Sequence, residues 1–170
     1  MKKNSVEIEK KYIIKLPDLE ALKKEPMYTE SEIVQIYLEA KKGRTHRVRS
    51  RTQDGATVYT ETEKVRIDAM SAIEDEREID RERFLALSVR MREGSRPIVK
   101  HRITVGYGEL LLEIDVYPEW KSTCIMEIEL PCRDHEVSIP PFIEVVEDVT
   151  GDKAYSNSSM SHSFPEERSI

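Results

Sequence analysis

Apolar and polar positions alternate with a period of two along most of this chain, and the polar positions are overwhelmingly charged. From Val6 to Tyr12, Glu7, Glu9 and Lys11 share one face of the expected strand, while Val6, Ile8, Lys10 and Tyr12 share the other. The same period predicts strands over 31–40, with Gln35 and Tyr37 on one face, and over 47–51, with Arg47, Arg49 and Arg51. Asp54-Gly55 is a hairpin signal leading into a strand over 58–67, whose face carries Thr60, Thr62, Lys64 and Arg66. Further strands are expected over 73–79 (Glu74, Glu76, Glu78), 98–105 (Lys100, Arg102), 109–117 (Glu113, Asp115) and 123–130 (Glu127, Glu129). Leu19 and Leu22 predict a short helix ending before Pro26. Asp80 caps a second, with Phe84, Leu87 and Met91 at helical spacing and Gly94 as its stop. Pro140-Pro141 opens a last one, striped by Phe142, Val145, Val146 and Val149 and ended by Gly151.

Length and composition fit one domain over 1–160, with 161–170 as a flexible Ser/Glu-rich tail. Charged residues make up 35% of the chain, against ~25% in an ordinary globular domain. The net charge of −6 argues against a general nucleic-acid or membrane surface, yet allows a local basic pocket. No apolar run reaches transmembrane length and no signal-peptide core is present, so a cytoplasmic protein is expected. Cys124 and Cys132 lack metal-site spacing and read as reduced thiols.

The charge ladders allow two readings. In one, each strand buries its apolar face and leaves its charged face in water. In the other, the strands close into a barrel whose lumen takes the charged faces. Like charges on one strand face sit ~7 Å apart, and a solvated surface would favour mixed signs. Charges cannot be buried dry, so such a lumen must be wet or hold a ligand that complements both signs. Guanidinium forks suit phosphate oxygens, and hard Mg²⁺ or Mn²⁺ suits clustered carboxylates with phosphate. A metal-triphosphate complex answers both halves.

Read in order, the motifs resemble those of the CYTH superfamily, the triphosphate tunnel metalloenzymes that include class IV adenylate cyclase and thiamine triphosphatase. Glu7-x-Glu9-x-Lys11 is similar to the family's ExExK signature, Arg47-Val-Arg49 to its RxR, Thr62-x-Lys64 to its TxK and Glu74-x-Glu76-x-Glu78 to its ExExE. Ile98-x-Lys100-x-Arg102, Glu113-x-Asp115 and Glu127-x-Glu129-Leu-Pro continue the series, and Val149 to Asn157 resembles its C-terminal segment. The resemblance implies an α+β fold: an eight-stranded antiparallel β-barrel tunnel with flanking helices and a C-terminal helix. It also implies phosphate contacts from Lys11, Arg47, Arg49, Lys64, Lys100 and Arg102, and metal contacts from Glu7, Glu9, Asp115, Glu127 and Glu129. Lys11, Glu7 and Glu9 become the candidate catalytic groups, with Glu74, Glu76 and Glu113 in support. Two departures stand out: Ala72 occupies a position where the family usually has Arg, and Glu61 and Glu63 make an outer face unusually acidic.

The activity implied is Mg²⁺- or Mn²⁺-dependent hydrolysis of triphosphates, above all inorganic tripolyphosphate to pyrophosphate and phosphate, with nucleoside triphosphates as further substrates. An adenylate cyclase is one alternative, in which Tyr117, Trp120 or Phe142 would stack the base, although loop or core packing suits each better. A polyphosphate or nucleotide binder without turnover is another. His46, His101 and His135 read as surface residues, and no nucleophile triad is visible. The expected partner is a small triphosphate, and the expected state a monomer or homodimer.

Overall fold

In the computed structural model, which describes residues 2–170 and side chains from Ser5 onward, the chain is built around one closed antiparallel sheet. Its strands are β1 (Lys2–Lys15), β2 (Thr29–Leu38), β3 (Arg44–Gln53), β4 (Ala56–Arg66), β5 (Ser71–Ile79), β6 (Ile98–Tyr107), β7 (Leu110–Val116), β8 (Thr123–Glu129) and β9 (Val145–Asp148). They run β5-β4-β3-β2-β6-β7-β8-β1, and a β1–β5 pairing closes this order into an eight-stranded barrel.

Closure depends on the length and stagger of β1. Residues 2–8 pair with β5, and residues 9–15 pair with β8 on the opposite edge. Where β5 has turned away, β9 covers the exposed edge, with Tyr12 opposite Asp148 and Ile13 opposite Glu147. That pairing corrects the helix expected after Pro140-Pro141. The 145–149 stripe suits a strand as well as a helix, its valines are β-branched, and the unpaired edge of β1 supplies the partner.

The short helices are α1 (Leu19–Leu22), α2 (Arg81–Ser88) and α3 (Asn157–His162), with a 3₁₀ turn over Lys153–Tyr155 before the last. Asp80 caps α2 through a hydrogen bond from Arg83 N (2.7 Å), and the helix stops at Ser88, sooner than its apolar spacing implied. The C-terminal helix is therefore present, but it lies past Gly151. Among the described residues no helix is long and apolar enough to cross a membrane.

Two apolar clusters organise the barrel. Tyr12, Ile14, Ile103, Leu112, Ile114, Met126 and Ile128 face outward and pack beneath Leu22, Leu130 and Ile143. Ile13, Tyr37, Ile98, Tyr117 and Ile125 instead have lumen parity, two residues beyond Lys11, Gln35, Lys100, Asp115 and Glu127. With Trp120, Val149, Tyr155 and Met160 they fill that section of the barrel. Tyr117 and Trp120 thus serve the core, and Phe142 is half-exposed with its ring edge-on to Tyr107.

The acidic outer face of β4 has a specific partner set. Glu61 is buried, and its carboxylate accepts from Arg77 (2.6 and 3.0 Å) and Arg83 (3.0 and 3.3 Å) and meets His46 Nε2 at 2.9 Å. This ties α2 to the barrel behind the lumen residue Thr62. The segment expected as a flexible tail is anchored by three interactions. Phe164 packs edge-on to Tyr117 and Trp120, Pro165 O accepts from Trp120 Nε1 (3.0 Å), and Glu167 accepts from the backbone of Lys121, Ser122 and Thr123.

Gly151 joins β9 to the barrel mouth with φ +79°, and a Cβ there would lie 2.8 Å from Ala69 Cβ. Gly151→Ala combines a left-handed backbone with a steric clash, so it is expected to cost about 1–3 kcal/mol of stability. Urea unfolding of the variant beside wild type measures it.

Candidate active site

The charged lumen faces enclose a cavity of about 550 Å³. Period-two parity predicts which residues line it. Glu7, Glu9 and Lys11 come from β1, Arg47, Arg49 and Arg51 from β3, Thr62 and Lys64 from β4, Glu74 and Glu76 from β5, Lys100 and Arg102 from β6, Glu113 from β7, and Glu127 and Glu129 from β8. The first-strand carboxylates therefore point inward, and the outer-face reading of these ladders falls.

The basic wall is incompletely neutralised. Arg47 Nη2 lies 3.5 Å from Glu74, but Arg47 Nε is buried with no hydrogen-bond partner. Arg49 donates from Nε to Gln35 Oε1 (2.9 Å), a neutral acceptor. Burial, reinforced by the neighbouring charges of Arg47 and Arg102, pushes the Arg49 guanidinium down to about 9. Thr60, directly opposite Arg49 in the ladder, has a buried hydroxyl without a partner. Orphaned buried donors of this kind are rare unless a ligand or water meets them.

On the facing wall the carboxylates come in close pairs. Glu7 and Glu74 share a hydrogen bond, as do Glu9 and Glu127. Burial pushes the Glu7 carboxyl up to about 7; the Lys64 charge opposes the shift and the nearby Glu74 adds to it. Burial and the charge of Glu127 likewise raise Glu9. Burial also works against a charged Glu127, but Lys11, Arg102 and Lys100 overcome it and hold that carboxyl well below its usual range. Lys11 Nζ lies 3.4 Å from Glu127 and donates to Tyr155 O (3.2 Å), while Lys64 Nζ lies 3.2 Å from Glu7 and 3.4 Å from Glu74.

Lys100, Arg102 and Asp115 form a knot in the wall. Asp115 is fully buried, accepting from Lys100 Nζ (2.7 Å), Arg102 Nε (2.7 Å) and Arg102 Nη2 (2.8 Å), and Arg102 Nη1 also binds Glu113. Burial disfavours its charge, yet Arg102 and Lys100 hold the Asp115 carboxyl below its usual range. Asp115 does not line the cavity, and both its oxygens are engaged by Lys100 and Arg102. Glu76 accepts from Thr62 Oγ1 (2.9 Å), which fits support.

The residues present suit a hard divalent cation by donor chemistry, since the Glu7–Glu74 and Glu9–Glu127 pairs offer adjacent carboxylate oxygens. Among the described residues, no three His, Cys, Asp or Glu side chains already gather into a ligand cluster. The cations Lys11, Lys64 and Arg102 stand between the pairs and account for this.

No family model matches the chain, and no curated protein matches it in sequence. Its fold is similar to the crystal structure of the inorganic triphosphatase NE1496, at 27% identity over 94% of this chain and 96% of that one, with a TM-score of 0.58. It is also similar in fold to the PH1819 protein of Pyrococcus horikoshii OT3 (21% identity, 75% and 80% coverage, TM-score 0.58). The HpAC1 protein of Hippeastrum, whose structure is described as revealing a dominant triphosphatase activity, shares the fold at 16% identity, 73% and 80% coverage and a TM-score of 0.51. The closed eight-stranded antiparallel barrel that the motif resemblance implied is thus shared with an inorganic triphosphatase.

Several groups that complete this charged lumen are polar but uncharged, and a search for charge ladders passes over them. Gln35 and Ser31 hold Arg49 and Arg51, and the Thr150 hydroxyl accepts from Lys11 N (3.0 Å). Lumen parity on the strand over 31–40 was the available signal for the first two.

Asp115→Asn removes the charge that neutralises two buried cations. The expected cost is about 3–5 kcal/mol, the magnitude found when one partner of a buried ion pair is lost. Chemical denaturation measures it, and a change under 1 kcal/mol would contradict the assigned role.

Proposed function

We propose that this chain is a metal-dependent triphosphatase that hydrolyses inorganic tripolyphosphate to pyrophosphate and phosphate. The observation that carries the reading is the under-neutralised basic wall: Arg49 faces a neutral amide, and Arg47 Nε is buried without a partner. A compact polyanion supplies what those groups lack.

Glu7, Glu9, Glu127 and Glu129 would hold Mg²⁺ or Mn²⁺, which when bound neutralises phosphate oxygens and polarises the phosphorus under attack. Arg47, Arg49, Lys64 and Lys11 bind the phosphates and take up charge that develops on the leaving group. Lys100 and Arg102, fixed by Asp115, brace the same wall. An ionised Glu7 or Glu9 would accept the proton of the attacking water, a step that a raised carboxyl such as Glu7, pushed up to about 7, suits. Tyr117 and Trp120, the aromatic rings considered for stacking adenine, are taken up by core packing. That favours the inorganic substrate over a cyclase.

The test is phosphate release from tripolyphosphate, ATP and thiamine triphosphate with Mg²⁺ or Mn²⁺, with cyclic AMP measured in parallel. Orthophosphate from tripolyphosphate at the highest kcat/KM is the expected result, and cyclic AMP without orthophosphate would overturn it. Arg49→Ala removes one preorganised donor and should lower kcat/KM by about 10²–10³-fold.

Proton competition gives a second test. Glu7 holds its proton to about pH 7, and a cation must displace it, so metal affinity should strengthen as pH rises toward that value and level off above it. In the metal-free protein the sign reverses for stability. Between the ordinary value of 4.5 and about 7 the folded state keeps a proton that the unfolded chain has lost, so stability falls as pH rises. Glu7→Gln should flatten both dependences, read by calorimetry and by thermal melts with chelator.

A further inference from the structure

Past Ile8, β1 loses β5 as its neighbour, and β9 takes up the same edge only from Tyr12. Glu9 and Lys11 fall in the gap, and their backbone groups point to that edge because alternate residues of a paired strand do so. Glu9 N finds the carbonyl of Met70 (2.9 Å). For Lys11 the partner is a side chain. Its N–H donates to the Thr150 hydroxyl (3.0 Å), and the same hydroxyl donates to the Lys11 carbonyl (3.3 Å), which also accepts from Val149 N (3.0 Å). Thr150 thus stands where a strand is missing.

Thr150 is itself firmly placed. Its N–H donates to Asp148 Oδ1 (2.9 Å), Asp152 N closes the turn onto Val149 O (3.0 Å), and Arg66 Nη2 holds the carbonyl of Gly151 (2.9 Å). The same segment reaches the other end of the lysine, where Tyr155 O accepts from Lys11 Nζ (3.2 Å). Residues 149–155 therefore hold Lys11 at its backbone and at its ammonium.

The surroundings of that ammonium give the hold its importance. Lys11 Nζ stands 3.4 Å from Glu127, longer than the ~2.7–2.9 Å of a charge-assisted hydrogen bond. Burial works against the Lys11 charge, but Glu127 and Glu9 outweigh it. A lysine released from its backbone partners can close the remaining distance to Glu127. The lumen would then lose a free ammonium and a free carboxylate oxygen together.

We propose that Thr150 is a positioning residue for the triphosphatase reaction: its hydroxyl completes the open edge of β1 at Lys11 and so keeps the ammonium available to phosphate and off Glu127. The inference rests on the triphosphatase reading for the task of Lys11, and Thr150 acts on the substrate only through that residue.

The test is a double-mutant cycle of Thr150→Val with Lys11→Met on the full-length protein, with kcat and KM measured for tripolyphosphate under Mg²⁺. With Lys11 present, Thr150→Val should lower kcat/KM by about 10- to 100-fold, the scale on which a misplaced group costs rate. Thr150→Ser keeps the hydroxyl and should recover most of that loss. In the Lys11→Met background, Thr150→Val should change kcat/KM by less than about twofold, because the group it positions is gone. An equal fall in both backgrounds would mean that Thr150 supports the fold or meets the substrate by itself. An unchanged kcat/KM in Thr150→Val would mean that Lys11 needs no such hold, and either result overturns the proposal. If Thr150→Val does not fold by circular dichroism, Thr150→Ala takes its place in the cycle. Tripolyphosphate bound without turnover would defeat the triphosphatase reading alone, and the cycle would then be decided on affinities by calorimetry. A wild type that does not bind tripolyphosphate would overturn both.

Discussion

Burying charge in a small protein costs more than the whole stability of its fold unless each charge meets a partner. The barrel meets this constraint unevenly, and the unevenness organises its interior. Asp115 is matched by Lys100 and Arg102, Lys64 by Glu7 and Glu74, and Lys11 by Glu127. Arg49 and Arg51 are met by an amide and a hydroxyl. The first group can stand in the absence of ligand, whereas the second favours any anion that enters. Carboxylate pairs on the other wall carry the complementary demand, met by a proton or by a cation. Two opposite demands in one cavity select for a ligand that brings both signs.

Closure is what makes the constraint act. An open sheet would let each charged face relax into water. Here β1 is long enough to serve β5 with its first half and β8 with its second, so the sheet meets itself and every charged face turns inward. The cost of the stagger is an exposed edge along 12–14, which β9 covers. The loop that follows β9 carries Thr150 onto Lys11 and Gly151 onto Arg66, so the element that seals the edge also shapes the cavity mouth.

Much of this was legible in the order of residues. Period-two parity placed Glu7, Glu9, Arg47, Arg49, Lys64, Arg102 and Glu127 on one side of their strands, and the run of motifs identified the fold. Parity states which residues share a face but not where that face changes character. The switch from charge to plug at Ile13, Ile98 and Ile125 was signalled by unbroken apolar runs, Tyr12-Ile13-Ile14 and Cys124-Ile125-Met126, which mark burial on both faces. The stripe over 142–149 was read as helix because its spacing fits both periods. Only the vacant edge of β1, a fact of the assembled sheet, decides between them. Glu61 was similarly opaque: it becomes sensible only when Arg77 and Arg83, 16 and 22 residues away, converge on it.

The plug also bounds the cavity on one side. Ile13, Ile98, Tyr117 and Ile125 fill one section of the barrel, while along β3 the cavity runs from Arg51 past Arg47 to Thr45 and Arg44. Hydrocarbon cannot solvate an ion, so any charged ligand is confined to the charged section of the lumen. Lysines in this lumen lie against carboxylates, but the ladder that follows the long axis is entirely arginine. Guanidinium keeps its charge when buried and offers two parallel donors to each phosphate. The division between plug and ladder follows directly from where the lumen face changes from charged to apolar.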